Sequence, residues 1–525
     1  MKFIKILVLA LFTSTISAQT FDKNFTKKGE LSEQQLQRWS HLDLLKDTIP
    51  GMSVDKAYAE LLKDKKGTKV IVGVIDSGVD IDHEDLKSVI WTNKKEISNN
   101  GIDDDKNGYI DDVHGWNFLG ESNNENLELV RILKKGDDGS DMYKAAQAEF
   151  DKKNDKMLKE KYQVDFIVSA DKTIREFLNK ENYTEDEVKG ISSTDRKIYQ
   201  SKMIMLSMID QAGSGFHDEI NDYKEYIGDQ VNYNLNKDFD GRKVVGDNPE
   251  DINDRNYGNN VVYSKDRKDS LHGTHVAGII AQIRNNGVGG DGVANNVEIL
   301  PVRAVPNGDE YDKDIALAIR YAVDNGAKVI NGSFGKDFSP HKEWVWDAMK
   351  YAESKDVLLV FAAGNDGKNI DVEPTFPMDT KDKNKELVKN VITIGALNNN
   401  FGENVLADFS NYGAKNVDVF SPGVKIYATI PDNKFKYEQG TSMASPNAAG
   451  VAALIRSYYP NLKAAQVKEI LMKSGTPITF DVAVGTSADK MPFSKACVSG
   501  KMINAYNALK MAESISKKTK KTPKL

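Results

Sequence analysis

Apolar residues follow two alternating rhythms along the chain. Val70-Ile71-Val72-Gly73-Val74-Ile75 is a continuous run rich in β-branched residues, the pattern of a strand buried on both faces. Similar runs recur at Val297 to Val305, Val329 to Phe334, Val357 to Ala363 and Val391 to Ala396. Between them, Asp314 to Val323 and Glu343 to Ala352 place apolar residues at helical spacing. This alternation predicts an α/β fold, a parallel β-sheet flanked by helices on both faces. Ligands in such folds meet the carboxyl ends of the strands.

The rhythm breaks over residues 121–266. There Asp141 to Lys161, Asp171 to Lys180 and Arg196 to Gln211 read as polar helices with sparse apolar stripes. They are expected to form a mainly helical insertion within a main domain of residues 69–510. Residues 19–68 are expected to be an N-terminal segment of that domain. They include a capping-box pattern, Ser32-Glu33-Gln34-Gln35, before a short amphipathic helix bearing Leu36, Trp39 and Leu42. Residues 511–525, ending in a lysine-rich stretch from Lys517, are expected to be a basic disordered tail.

Lys2 and Lys5 precede the apolar run Ile6 to Phe12, and Ser17-Ala18 follows. That layout predicts a signal peptide over residues 1–18, cut after Ala18 and too short to anchor in a membrane. The mature chain is expected to be secreted or periplasmic, with no membrane span. Lys and Arg number 71 against 78 Asp and Glu, a net charge of −7 spread along the chain, so no nucleic-acid partner is expected. The single cysteine, Cys497, excludes an intramolecular disulfide.

Four stretches carry candidate chemistry. Gly440-Thr441-Ser442-Met443-Ala444-Ser445-Pro446 places a serine at the start of an apolar helical pattern. Unpaired N–H groups and the positive dipole end would face its target there. A serine hydroxyl needs a base and oxyanion donors to act as a nucleophile. His272, in His272-Gly273-Thr274-His275-Val276-Ala277-Gly278, is the candidate base at a second helix entrance. Its spacing of three from His275, with no acidic residue between, does not match a zinc-binding helix. Asp76, ending the first apolar run, is placed to orient an imidazole. Asn365, in Ala362-Ala363-Gly364-Asn365, carries an amide that can donate to an oxyanion.

These stretches, in the order Asp, His, Ser, resemble the subtilisin-like serine peptidases (subtilases). Phe409-Ser410-Asn411-Tyr412-Gly413 and Ser421-Pro422-Gly423-Val424 add weaker matches. The resemblance implies an exported serine endopeptidase acting on proteins or peptides through an acyl-enzyme. Asp76, His272 and Ser442 would be its triad and Asn365 its oxyanion donor. It also implies that Ser333, Phe334, Gly335, Ala362, Ala363 and Gly364 wall the primary specificity pocket. In the family a second glycine often follows the first; Lys336 stands there in this chain. Alternatives are an exopeptidase or narrow processing peptidase of the same fold, or an inactive binding protein. Residues 19–68 leave little room for a folding-assisting prodomain, so none is expected.

Calcium is the expected ion, in a structural role, with no organic cofactor. Residues 101–112 place oxygen ligands at alternate positions with glycine at the turn, beginning like an EF-hand loop. His114 stands where that loop would end in Glu, so the stretch is a calcium loop of another kind or an acidic turn, and calcium is the expected reading. Its candidate ligands are Asp103, Asp105, Asn107, Tyr109, Asp111 and Asp112. Asp85 matches a calcium-ligand aspartate of the subtilases, with Asn285-Asn286-Gly287 as its partner loop. Asp238-Phe239-Asp240-Gly241 is a weaker candidate.

Overall fold

The computed structural model describes residues 21, 23–25, 29–381, 385–486 and 489–521. The expected signal peptide lies outside them. The apolar runs form β1 (Val70–Asp76), β2 (Trp116–Asn117), β3 (Val297–Arg303), β4 (Val329–Gly332), β5 (Leu358–Ala362), β6 (Val391–Leu397) and β7 (Val419–Pro422). The chain continues through β8 (Ile426–Ile430), β9 (Lys434–Glu438), β10 (Thr476–Pro477), β11 (Asp481–Val484), β12 (Asp489–Pro492) and β13 (Lys501–Met502). Strands β8–β9 and β11–β12 are separate antiparallel pairs. The other nine make one sheet in the order β10-β13-β7-β6-β5-β4-β1-β3-β2. Every pairing in it is parallel except that of β10 with β13.

This order positions the site. β1 is flanked by β3 on one side, with Asp76 opposite Arg303, and by β4 on the other, with Ile75 opposite Gly332. The chain builds outward on one side of β1 before crossing to the other. A crevice therefore opens at the carboxyl ends of β1 and β4, where the chain separates to opposite faces.

Side-chain alternation distributes the core. Val70, Val72 and Val74 face the helices Leu271–Ala281 and Thr441–Tyr458; Ile75 faces the helices Asp312–Asp324 and Lys342–Ser354. Burying each such aliphatic side chain contributes about 1.5–3 kcal/mol. The helix Thr441–Tyr458 lies close to its neighbours because its contact face is small: Ala444, Ala448, Ala449, Gly450, Ala452 and Ala453 are all buried. A Cβ on Gly450 would stand 2.5 Å from Cβ of Val293.

The insertion is helical and has its own core. Two of its expected helices are one, Asp141–Leu178, capped by Ser140 Oγ, which accepts from Tyr143 N at 3.0 Å. It packs on the helices Arg196–Ala212 and Phe216–Asp229 through a cluster including Ile174, Met205, Ile209 and Phe216. A second cluster, with Leu129, Met157 and Leu235, joins Phe338 of the main fold. The expected disordered tail is corrected for most of its length: the helix Ala505–Lys521 includes residues 511–521. Ala508, Leu509 and Ala512 bury an apolar stripe in the main core, and this carries the helix into the lysine-rich segment. Among the described residues, no helix is long and apolar enough to cross a membrane.

Candidate active site

Asp76 ends β1 almost fully buried, and His272 opens the helix Leu271–Ala281 with 39% of its side chain exposed. His272 Nδ1 lies 2.6 Å from Asp76 Oδ1. A carboxylate can only accept, so Nδ1 carries the proton and Nε2 is left as the accepting nitrogen. Ser77 N also donates to Asp76 Oδ1, at 2.8 Å, and Arg303 Nε donates to Ser77 O at 3.0 Å, fixing the strand end. Gly273 permits this approach, since a Cβ there would lie 2.1 Å from the carbonyl oxygen of Gly78. Burial opposes charge on His272, but the Asp76 charge and hydrogen bond outweigh it and raise the imidazole above its ordinary value. His275 points into the interior, with Nε2 3.1 Å from Lys436 O, and burial lowers it to about 4. It is a neutral core histidine.

Ser442 is the second residue of the helix Thr441–Tyr458, delivered by Gly440 at φ +148°. Pro446 lacks the N–H that would otherwise bond the Ser442 carbonyl four residues back. Ser333 Oγ takes that role, donating to Ser442 O at 2.8 Å, and Ser442 Oγ donates to Ser333 O at 3.2 Å. Beneath the pair, Asn331 Nδ2 donates to Ser333 Oγ at 2.9 Å and Ser445 Oγ donates to Asn331 Oδ1 at 2.7 Å. Asn331 and Ser445 are fully buried, so β4 and the serine helix are locked together at Ser442. Hydrogen bonds between nucleophile and base commonly tighten only when substrate is bound.

Asn365 follows β5. Its Oδ1 accepts from Thr441 N at 2.8 Å and Thr441 Oγ1 at 2.9 Å, which fixes the amide and leaves Nδ2 free to donate. Asn411 clamps the same loop: its Nδ2 donates to Ala363 O, and its Oδ1 accepts from Asp366 N and Lys368 N. Ser442 N, at the helix start, enters no hydrogen bond among the described residues. Two donors are thus available beside one hydroxyl.

Asp76, His272, Asn365 and Ser442 line one cleft of about 840 Å³. Ser333, Phe334, Gly335, Ala362 and Gly364 line it with them. Ala363 does not: it is 1% exposed and packs in the core with Leu397 and Phe420, because neighbouring residues of an extended segment face opposite ways. Lys336 exchanges both backbone bonds with Phe376, at 2.9 Å each, so the unpaired strand edge ends at Gly335. The insertion reaches the cleft through Leu127, Lys153, Glu225 and Asp229.

The Subtilase family pattern matches residues 67–491. The chain belongs to this family. It is 41% identical over 239 residues to a thermophilic serine proteinase of Bacillus sp. (strain AK1), covering 45% of this chain and 52% of that protein. It is 37% identical over 206 residues to subtilisin DY of Bacillus licheniformis, covering 39% of this chain and 70% of that one. The chain thus spans about half the length of the thermophilic proteinase. A solved protease from Pseudoalteromonas arctica PAMC 21717 superposes with a TM-score of 0.47 at 20% identity, over 91% of this chain and 97% of that one.

The acidic loop of this subtilase brings two of the expected residues together with one further acidic side chain. Asp103, Asp105 and Glu96 place carboxylate oxygens within 4.8 Å of one another, and Glu96 Oε2 is buried without a hydrogen-bond partner. Glu96 is a residue that sequence spacing did not single out. Asn107 Oδ1 accepts from Tyr109 N at 2.8 Å, and the Tyr109 ring packs on Trp116, Phe118 and Tyr321. Asp111 caps Asn100 N and Gly101 N, while Asp112 accepts from Asn93, Asn107 and Tyr321. The side chains of Tyr109, Asp111 and Asp112 are therefore engaged in holding the loop. At the second position, Asp85 Oδ1 accepts from Asn286 Nδ2 at 2.5 Å and its Oδ2 is buried without a partner. Burial raises Asp85 to about 6, against the hydrogen bonds from Asn286 and Ile283.

The His272 environment is directly measurable. In Ser442→Ala protein, NMR titration of the His272 ring should give a pKa above the ordinary 6.5. Asp76→Asn removes the attraction and leaves burial, so the value should fall below 6.5. An unchanged value in that variant would contradict the assignment of Asp76.

Proposed function

We propose that this subtilase is an exported serine endopeptidase that hydrolyses proteins through an acyl-enzyme. The observation that carries the reading is the Asp76–His272 contact at 2.6 Å, in the same cleft as Ser442 and Asn365. Ser442 Oγ attacks the peptide carbonyl carbon as its proton passes to His272 Nε2. Asp76 holds the ring in the accepting tautomer and stabilises the imidazolium that forms. Asn365 Nδ2 and Ser442 N–H receive the oxyanion. The C–N bond then breaks, His272 gives its proton to the leaving amine, and water repeats the sequence on the ester. The strand edge ending at Gly335 pairs with an extended backbone, a mode that tolerates many sequences. The layout of residues 1–18 supports export.

Insertion residues Glu225 and Asp229 on the cleft favour, as a second reading, a narrow processing or exopeptidase action. The test is digestion of a long unfolded protein with product mapping. Internal cuts from the earliest times are expected; stepwise release from one end would favour exopeptidase action. In subtilisin, losing the nucleophile costs roughly 10⁶ in turnover and losing the asparagine donor about 10²–10³. Ser442→Ala and Asn365→Ala should fall in those ranges, and full turnover in either variant would contradict the mechanism.

Calcium fits two places. Glu96, Asp103 and Asp105 would hold one ion and Asp85 another, each site having a buried carboxylate oxygen without a partner. An ion there would cross-link loops in a chain whose single cysteine allows no internal disulfide. Calcium at about 100 times its dissociation constant should stabilise the fold by about 2.7 kcal/mol per site. A chelator should lower the unfolding temperature, and Asp105→Asn should reduce the calcium-dependent part. No response to calcium or chelator would contradict the proposal.

A further inference from the structure

Positive charge is concentrated beside the amino end of β1, in a chain whose net charge is −7. Residues 63–69, which lead into β1, hold four lysines against one aspartate, and all four lysines are exposed. The helix Ala505–Lys521 ends beside them. Lys65 Nζ and Lys517 Nζ lie 3.5 Å and 3.1 Å from the same oxygen, Glu513 Oε1, so one carboxylate serves two ammonium groups. Ser516 Oγ donates to Asn461 Oδ1 at 2.8 Å, which brings in the turn that holds Lys463, 71% exposed at its side chain. Beyond Glu513 the chain has five lysines and no acidic residue.

Helix dipoles explain part of this gathering, because a cation at the carboxyl end of a helix is favoured. Lys63 and Lys517 stand at such ends. Lys66 and Lys69 lie outside any helix, and Lys463 stands at the start of the helix Ala464–Ser474, where the dipole disfavours a cation. The ammonium groups of Lys63 and Lys66 have no hydrogen bond or ion pair among the described residues. Like charges held together repel one another, and an opposing charge of similar breadth relieves that repulsion. Exposed lysines on separate segments act as point charges and do not fork around one anion, so they suit a flat array of phosphates. Val70 to Asp76 spans about 20 Å of strand, so the patch and the cleft lie at opposite ends of β1. The acidic loop lies elsewhere, its Asp112 held by Tyr321 in the other helical layer.

We propose that this lysine patch is a docking surface for an anionic lipid bilayer, which holds the chain at the membrane with its cleft directed away. The proposal does not depend on the peptidase reading. The test is flotation of the purified mature chain with vesicles of phosphatidylcholine, alone or with about one quarter phosphatidylglycerol. Binding to the anionic vesicles alone is expected at about 0.1 M salt. Salt at about 1 M, where the screening length falls from about 10 Å to about 3 Å, should release the protein. Combined Lys63→Gln, Lys66→Gln and Lys463→Gln should weaken binding by about tenfold or more, with an unchanged unfolding temperature. Should that variant fail to fold, Lys517→Gln with Lys518→Gln should weaken binding in the same sense. Lys152→Gln with Lys156→Gln, which removes exposed charge from the insertion, should bind as the wild type does. Equal flotation with neutral and anionic vesicles would overturn the proposal. So would an equal loss of binding in the insertion variant, or binding to soluble polyphosphate without flotation.

Discussion

The hydrogen bond between Asp76 and His272 joins residues 196 positions apart, and much of the architecture serves to make it possible. Asp76 is fixed because β1 lies between β3 and β4 with both faces covered. His272 reaches it because Gly273 lets a helix start rest on the strand end. The consequence is electrostatic. A buried carboxylate beside a half-exposed ring selects the tautomer with Nε2 accepting and makes the charged ring easier to form. The insertion between these residues lengthens the connection without disturbing the contact, because it folds around its own apolar cluster.

Ser442, the proposed nucleophile, depends on a second piece of backbone logic. Pro446 interrupts the hydrogen-bond ladder of the serine helix at the carbonyl of Ser442, and Ser333 from the end of β4 supplies the missing donor. A helix and a strand are thereby joined at Ser442, through the buried side chains of Asn331 and Ser445. Thr441 acts in the same way on Asn365, so the residue before the nucleophile orients the proposed oxyanion donor. Preorganised donors of this kind need little rearrangement as charge develops.

Much of this was legible in the sequence because both parts of the signal are local. Strands buried on both faces appear as unbroken apolar runs, and the four chemical stretches each carry their own turn or helix start. What escaped was tertiary. Glu96 meets Asp103 and Asp105 only because the loop folds back on itself. Asn331 was hidden inside an apolar run. The strand-end motif does not show which alternate residues turn inward, and Ala363 turns into the core. The long helix Asp141–Leu178 reads as two because the apolar stretch Val164 to Ala170 interrupts its polar pattern, yet Lys161 to Asp171 contains no Gly or Pro to end it.

The central claim is that Ser442 is a nucleophile activated by His272. Labelling the purified full chain with a fluorophosphonate probe, then locating the adduct by peptide mass mapping, tests it most directly. The account predicts a single adduct on Ser442 that is lost in Ser442→Ala and forms far more slowly in His272→Ala. A folded, calcium-loaded protein that takes no label, or labels equally fast without His272, would contradict it.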